Sequence, residues 1–200
     1  METISYRCVN LADPKPDSIV ITDIAWHLSQ IIRWTGACKF PYSVAQHSIW
    51  ACYLAQEEFK LEALLHDAHE AYIGDISRPM KILLGYEMIK GIEKKFDKII
   101  EDKYGVKFGS PEVKRIDELL LHTEARNLGP GSTSRWETHA TPSINVPFQM
   151  IVDLTPEVIA LESFDNQGPS PYKRIELTNR EAFTHFLRLF NKYKKVQNVD

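Results

Sequence analysis

The sequence is short of cysteine, of excess positive charge and of long apolar runs, and each shortage removes a class of function. Cys8, Cys38 and Cys52 are its only cysteines, and no two of them form a CxxC pair. An odd, scattered set argues against a disulfide framework or a cysteine-type zinc site, and reads as reduced thiols. No apolar run approaches the roughly 18 residues that a membrane span needs. The opening METISYRCVN lacks the basic-then-apolar order of a signal peptide. The expected compartment is the cytoplasm. Against 27 Asp and Glu stand 24 Lys and Arg, a net charge of −3, so nothing favours duplex nucleic acid or an anionic membrane as a partner. A small anionic substrate stays compatible, because a few local cations can serve it. There is no Walker A loop, no Gly-x-Gly-x-x-Gly fingerprint and no recognisable setting for a nucleophilic cysteine.

What is present is the material of an ordinary helical domain. The 200 residues are 44% hydrophobic and 26% charged, enough for one normal core, and suit a single domain over 1–200. Residues 1–21 read as an irregular arm with one short strand near Val20-Ile21. Thr22 or Asp23 is the expected N-cap of a helix striped by Ile24, Leu28, Ile31 and Ile32, with Gly36 past its end. Ser43 to Gln46 fits a capping box for a second helix reaching about Gln56. A third is expected from about Lys60 to Ile73, closed by Gly74, with Pro79 breaking the chain after it. Ile89, Ile92, Phe96, Ile99 and Ile100 mark a fourth, ending near Gly105. Ser110-Pro111 opens a fifth, which reaches about Leu128. Residues 129–173 hold six prolines and three glycines and read as an insertion or flap, with a strand within Val146–Leu154. A Thr178–Glu181 capping box then opens a last helix carrying Phe183, Phe186, Leu187 and Phe190. The fold class is all-α, a helical bundle with a mostly irregular insertion near its C-terminus.

The chemistry lies where polar residues interrupt apolar helix faces. His47 falls on the stripe of Val44, Ala51 and Leu54, so it points inward. His66 and Asp67 sit beside the stripe of Leu61, Leu64, Leu65 and Ala68, and Glu70 lies one turn beyond His66. Asp117 shares a face with Val113, Leu120, Leu121 and Glu124. Buried carboxylates are costly unless paired, hydrogen-bonded or metal-bound. Two imidazoles and two carboxylates from three helices can make a mononuclear divalent site. Taken singly, each residue has a plainer reading: His47 as a hydrogen-bonded core histidine, His66-Asp67 as a surface pair, Asp117 as a partner of Arg115 or Arg126. The same oddity on three helices weakens these plainer readings and sets a metal site beside them. A zincin is excluded, because His66-Asp67-Ala68-His69-Glu70 spaces its histidines at i, i+3 and misplaces the acid.

The order His47, His66-Asp67, Asp117 resembles the H…HD…D motif of the HD-domain phosphohydrolase superfamily. The resemblance extends to two branches of it, the bacteriophage dATP triphosphohydrolases of the 2-aminoadenine pathway and the bacterial 5′-deoxynucleotidases. It is carried by Arg33-Trp34, by Tyr42 to Ser48 (YSVAQHS), by His66 to Lys81 (HDAHEAYIGDISRPMK) and by Val113 to Asp117 (VKRID), within residues 22–128. The resemblance implies an HD-domain bundle whose His47, His66, Asp67 and Asp117 bind cobalt, zinc or manganese. It implies Glu70, with Asp67, in catalysis and Arg33 on phosphate. Trp34 and Pro79 would line the base and sugar pocket, Asp75 and Lys81 its rim, with Lys114 a further cation. The activity implied is hydrolysis of dATP to deoxyadenosine and triphosphate, selective against 2-aminoadenine, in a homo-oligomer in the host cytoplasm if phage-encoded. The alternatives are a 5′-deoxynucleotidase acting on monophosphates and a nucleotide-binding regulator without catalysis. Residues 129–173 match nothing in the nucleotidase pattern.

Overall fold

The computed structural model describes residues 1–128 and 177–196. The insertion expected at 129–173, with a strand expected within Val146–Leu154, lies outside those residues. The fold is all-α. Among the described residues the helices are α1 (Ile21–Gln30), α2 (Val44–Leu54), α3 (Lys60–Leu65), α4 (Glu70–Ile73), α5 (Arg78–Leu84), α6 (Tyr86–Tyr104), α7 (Pro111–Asn127) and α8 (Asn179–Val196). Among the described residues, extended chain pairs only as two isolated bridges, Glu2 with Cys8 and Ile32 with Ser43. No helix among them is long and apolar enough to cross a membrane.

The centre of the bundle is α2, which packs against α1, α3, α7 and α8. Every residue from Val44 to Cys52 is buried. A helix with little charge on any side has no solvent face to prefer, and neighbours close over it all round. One apolar cluster, with Leu28, Ile49, Leu65, Phe96 and Phe186, lies on one side of it. A second, with Tyr42, Trp50, Ile116 and Leu120, lies on the α7 side. A polar side chain on α2 is therefore committed to the interior.

Several expected boundaries move, each for a physical reason. The first helix starts at Ile21 from an uncapped Val20, and no strand forms in the arm. Asp23 does not cap it; fully buried, it accepts bonds from the Ser5 amide (3.1 Å) and hydroxyl (2.8 Å), pinning the N-terminal arm to α1. Ile31 and Ile32 lie beyond the helix end, and Gly36 closes a separate left-handed turn, Trp34–Gly36. Ser43 caps α2 by accepting from the Gln46 amide, but the Gln46 side chain turns to the Leu177 amide, so only half of the capping box forms. The expected helix from Lys60 to Ile73 is interrupted at 66–69. There the bonds shorten to three residues (Ala68 to Leu65, Glu70 to Asp67, Tyr72 to His69), the tighter winding of a 3-10 turn. Pro79, expected only as a break, is the second residue of α5, where its missing amide costs no bond.

Three further expected helix boundaries are present. Left-handed Gly105 caps α6, and the Thr178 and Glu181 side chains each accept from the other's amide. Ser110 caps α7 by accepting from the Val113 amide. Because α7 carries Asp117 toward α2, Ser110→Ala should destabilise the protein by about 1 kcal/mol, within the roughly 0.5–2 kcal/mol typical of a lost N-cap. Denaturant unfolding measures it, and an unchanged midpoint would mean that the cap contributes nothing.

Candidate metal centre

Three elements converge on one point. α2 brings His47, the tight turn after α3 brings His66 and Asp67, and α7 brings Asp117. His47 Nε2 and His66 Nε2 stand 3.2 Å apart. Asp67 Oδ2 lies 3.2 Å from His66 Nε2 and 3.6 Å from His47 Nε2. Asp117 Oδ1 lies 3.2 Å from His47 Nε2 and 3.8 Å from His66 Nε2. His47 is fully buried, whereas the Asp117 side chain is 46% exposed, so the cluster opens on the Asp117 side.

The proton positions decide what this cluster can hold. His66 Nδ1 donates to the Ala63 carbonyl (2.7 Å), which can only accept. His47 Nδ1 donates to Glu124 Oε1 (2.6 Å). In the neutral rings both Nε2 lone pairs therefore face each other and two carboxylates, with no donor between them. Such a set needs a cation. Ligand atoms at about 2.0–2.2 Å from one ion stand roughly 3.0–3.5 Å apart, close to the spacing here. His47, His66 and Asp67 form a group that could hold a metal ion, and Asp117 is in reach of both imidazoles. Without an ion, protons take that place. Burial would lower the His66 pKa, but Asp67 and Asp117 push it well above the usual range. Burial and Arg33 depress His47, yet Glu124 and Asp117 more than offset them. Burial would raise Asp67 and Asp117, but the two imidazoles hold both far below the usual carboxylate range.

The surrounding residues separate into those that face the centre and those that do not. Arg33, buried at the start of the Trp34–Gly36 turn, puts Nη1 3.6 Å from Asp67 Oδ2. Glu70 is buried, and its Oε2 has no hydrogen-bond partner among the described residues. Burial first, then the Asp67 and Asp75 charges, raise its carboxyl well above the usual range. Asp75 is half-buried and likewise raised by burial. Trp34 is half-buried beside Arg33, and Pro79 is exposed on α5. Lys81 reaches Glu93 on α6 at 2.8 Å, while the Glu70 and Asp67 charges also act on its ammonium. Lys114 is not gathered in; it is exposed, with its ammonium beside Gly109. Nor is Asp117 paired with Arg115, which binds Glu112 instead at 3.1 Å. His69 turns away to Asp97 on α6 (2.9 Å), in agreement with its exclusion from a zincin pattern.

Glu124 is the main residue that the sequence reading did not single out. Its only signal there was a place on the Asp117 face of α7. Glu93 and Asp97, both half-buried on α6, were not singled out either.

Over 121 residues the chain is 46% identical to the uncharacterized protein YfdR of Escherichia coli K12, covering 60% of this chain and 67% of that protein. Over 119 residues it is 36% identical to an uncharacterized protein of Rhodobacter capsulatus, covering 55% of this chain and 58% of that one. No family model matches the chain.

Anything that binds only the folded state stabilises it by mass action, about 2.7 kcal/mol at a hundredfold excess over Kd. Co(II) should therefore raise the unfolding temperature of the wild-type chain and EDTA should reverse the rise. Asp117→Ala should lose most of the effect. Equal thermal shifts in wild type and variant would place the ion elsewhere.

Proposed function

We propose that this chain, which belongs to the family of the Escherichia coli protein YfdR, is a metal-dependent phosphohydrolase that cleaves dATP to deoxyadenosine and triphosphate. One observation carries the reading: imidazole and carboxylate ligand atoms with no hydrogen-bond donor among them lie beside a buried guanidinium and a buried carboxyl whose Oε2 has no hydrogen-bond partner among the described residues. A phosphate ester in water resists hydrolysis because its anionic oxygens repel the nucleophile. A divalent ion such as cobalt, zinc or manganese on His47, His66, Asp67 and Asp117 supplies Lewis acidity toward a phosphoryl oxygen and a nucleophilic water near neutral pH. Arg33 adds a fixed positive charge; one of its five N–H groups is used by Glu124, leaving others for phosphate oxygens. Glu70 is held protonated more readily than an ordinary carboxyl, which suits it to deliver a proton to the departing 5′ oxygen. The half-buried Trp34 offers an apolar surface to the base. The DNA-precursor context and the choice of adenine rest on the resemblance to the phage enzymes. The set of intended partners is correspondingly small, a deoxyadenosine nucleotide and further copies of the chain.

The 5′-deoxynucleotidase reading has one observation in its favour. Lys114 is exposed with its ammonium beside Gly109, and Lys81 is shared with Glu93, which leaves few cations for a long polyphosphate among the described residues. Product analysis separates the two. With dATP in ¹⁸O-labelled water, attack at the α-phosphorus breaks the P–O5′ bond. Deoxyadenosine should appear unlabelled and triphosphate should carry the label. Release of dADP or dAMP as the first product would refute the triphosphohydrolase.

Glu70→Ala should keep its metal and lose on the order of 10²–10⁴-fold in kcat, the usual contribution of a positioned acid or base. Because Oε2 has no hydrogen-bond partner, the substitution breaks no bond there. A variant that turned over at the wild-type rate would remove Glu70 from the chemistry.

A further inference from the structure

Glu124 lies on α7 two turns after Asp117 and is fully buried. Its two oxygens face different parts of the site. Oε1 accepts from His47 Nδ1 at 2.6 Å. Oε2 accepts from Arg33 Nε at 3.0 Å and from Trp34 Nε1 at 3.2 Å. Burial would raise its pKa, but Arg33 and His47 keep it ionised.

We propose that Glu124 is a positioning residue whose two oxygens set the metal-facing nitrogen of His47 on one side and the Arg33–Trp34 turn on the other. The inference rests on the metal-dependent reading above and assigns the side chain that assembles the site. Two observations support it beyond the contacts themselves. A carboxylate on Nδ1 fixes the imidazole tautomer, so that Nε2 keeps its lone pair for an ion. On the other side, Trp34 and Thr35 have φ of 60° and 53°, the left-handed region, which a β-branched residue such as Thr35 rarely enters. Strained backbone persists only where its surroundings hold it. Here the Trp34 ring N–H and the Arg33 side chain are both tied to the same oxygen.

The chemistry of the group makes the proposal sharp. A carboxylate offers acceptors on both sides. Glutamine has one acceptor oxygen, and its amide nitrogen can only donate. In Glu124→Gln, an oxygen turned to Arg33 and Trp34 places the NH₂ against His47 Nδ1. That favours the tautomer with the proton on Nε2 and removes the lone pair. An oxygen turned to His47 instead places the NH₂ against two donors and loosens the turn. One side must fail.

The test measures Co(II) affinity by equilibrium dialysis, and amide exchange at Gly36 and Ala37. Those amides close the turn on the Arg33 and Trp34 carbonyls. In full-length Glu124→Gln, either the Co(II) Kd rises about 10–100-fold, the usual effect of removing a partner from a ligating histidine, or Gly36 and Ala37 exchange at least about tenfold faster. Glu124→Asp, which keeps both acceptors, should retain more of each property, and far-UV circular dichroism checks that both variants are folded. A folded Glu124→Gln with wild-type Co(II) affinity and wild-type exchange would overturn the assignment while leaving the metal-dependent reading intact. Failure of the wild-type protein itself to bind Co(II) would overturn that reading and, with it, this proposal.

Discussion

A buried imidazole with both nitrogens committed is the constraint on which the centre depends. His47 has no exposed surface, so each ring nitrogen must find a partner within the protein. Nδ1 has Glu124. Among the described residues Nε2 has only another imidazole nitrogen and two carboxylate oxygens, all acceptors when the ring is neutral and the carboxyls ionised. The arrangement is costly as it stands and becomes favourable once a positive charge enters. Protons can supply that charge, which is why the imidazoles are shifted up and Asp67 and Asp117 down. A divalent ion supplies more charge in the same space and releases those protons.

The fold supports this constraint by making α2 its innermost helix. Neighbours on four sides leave His47 no route to solvent. The turn at 66–69 has the complementary task. A continuous α-helix separates successive side chains by about 100°, and the tighter winding here changes that angle just where His66 and Asp67 must both reach one point. It also lets His69 leave for Asp97 while Glu70 stays beside the centre, buried and without a partner for Oε2.

The parts of this site legible in the sequence were those that break a pattern. His47 and Asp117 stood out as polar residues on apolar stripes, and both belong to the cluster. Periodicity could not show the interruption at 66–69, because Ala68 and Ala71 continue the apolar face and bury as a helix would. Asp23 read as a cap because short-range logic favours that use of an aspartate before a stripe; its real partner, Ser5, lies 18 residues away. Glu124 was visible as an acid two turns after Asp117, but its meaning depends on Arg33, 91 residues distant. A carboxylate in an apolar stripe announces that it has a partner, and only the fold says which. Lys81 and Lys114 stood out only by their charge, and a flexible four-carbon stem lets one reach Glu93 and the other extend into solvent.

Asp67 and Glu70, three residues apart on one turn, show how little distance is needed to divide labour between two carboxyls. Both are removed from water, and burial alone would raise both. Asp67 lies 3.2 Å from an imidazole and is driven down. Glu70 meets no such partner and feels instead the negative charges of Asp67 and Asp75, so burial prevails and it rises. The lowering of the first helps to raise the second, since an ionised Asp67 is one of the charges that Glu70 must resist. Arg33 and Lys81 oppose this only in part. A carboxyl driven down and a carboxyl driven up are therefore products of the same local field, three residues apart in the chain.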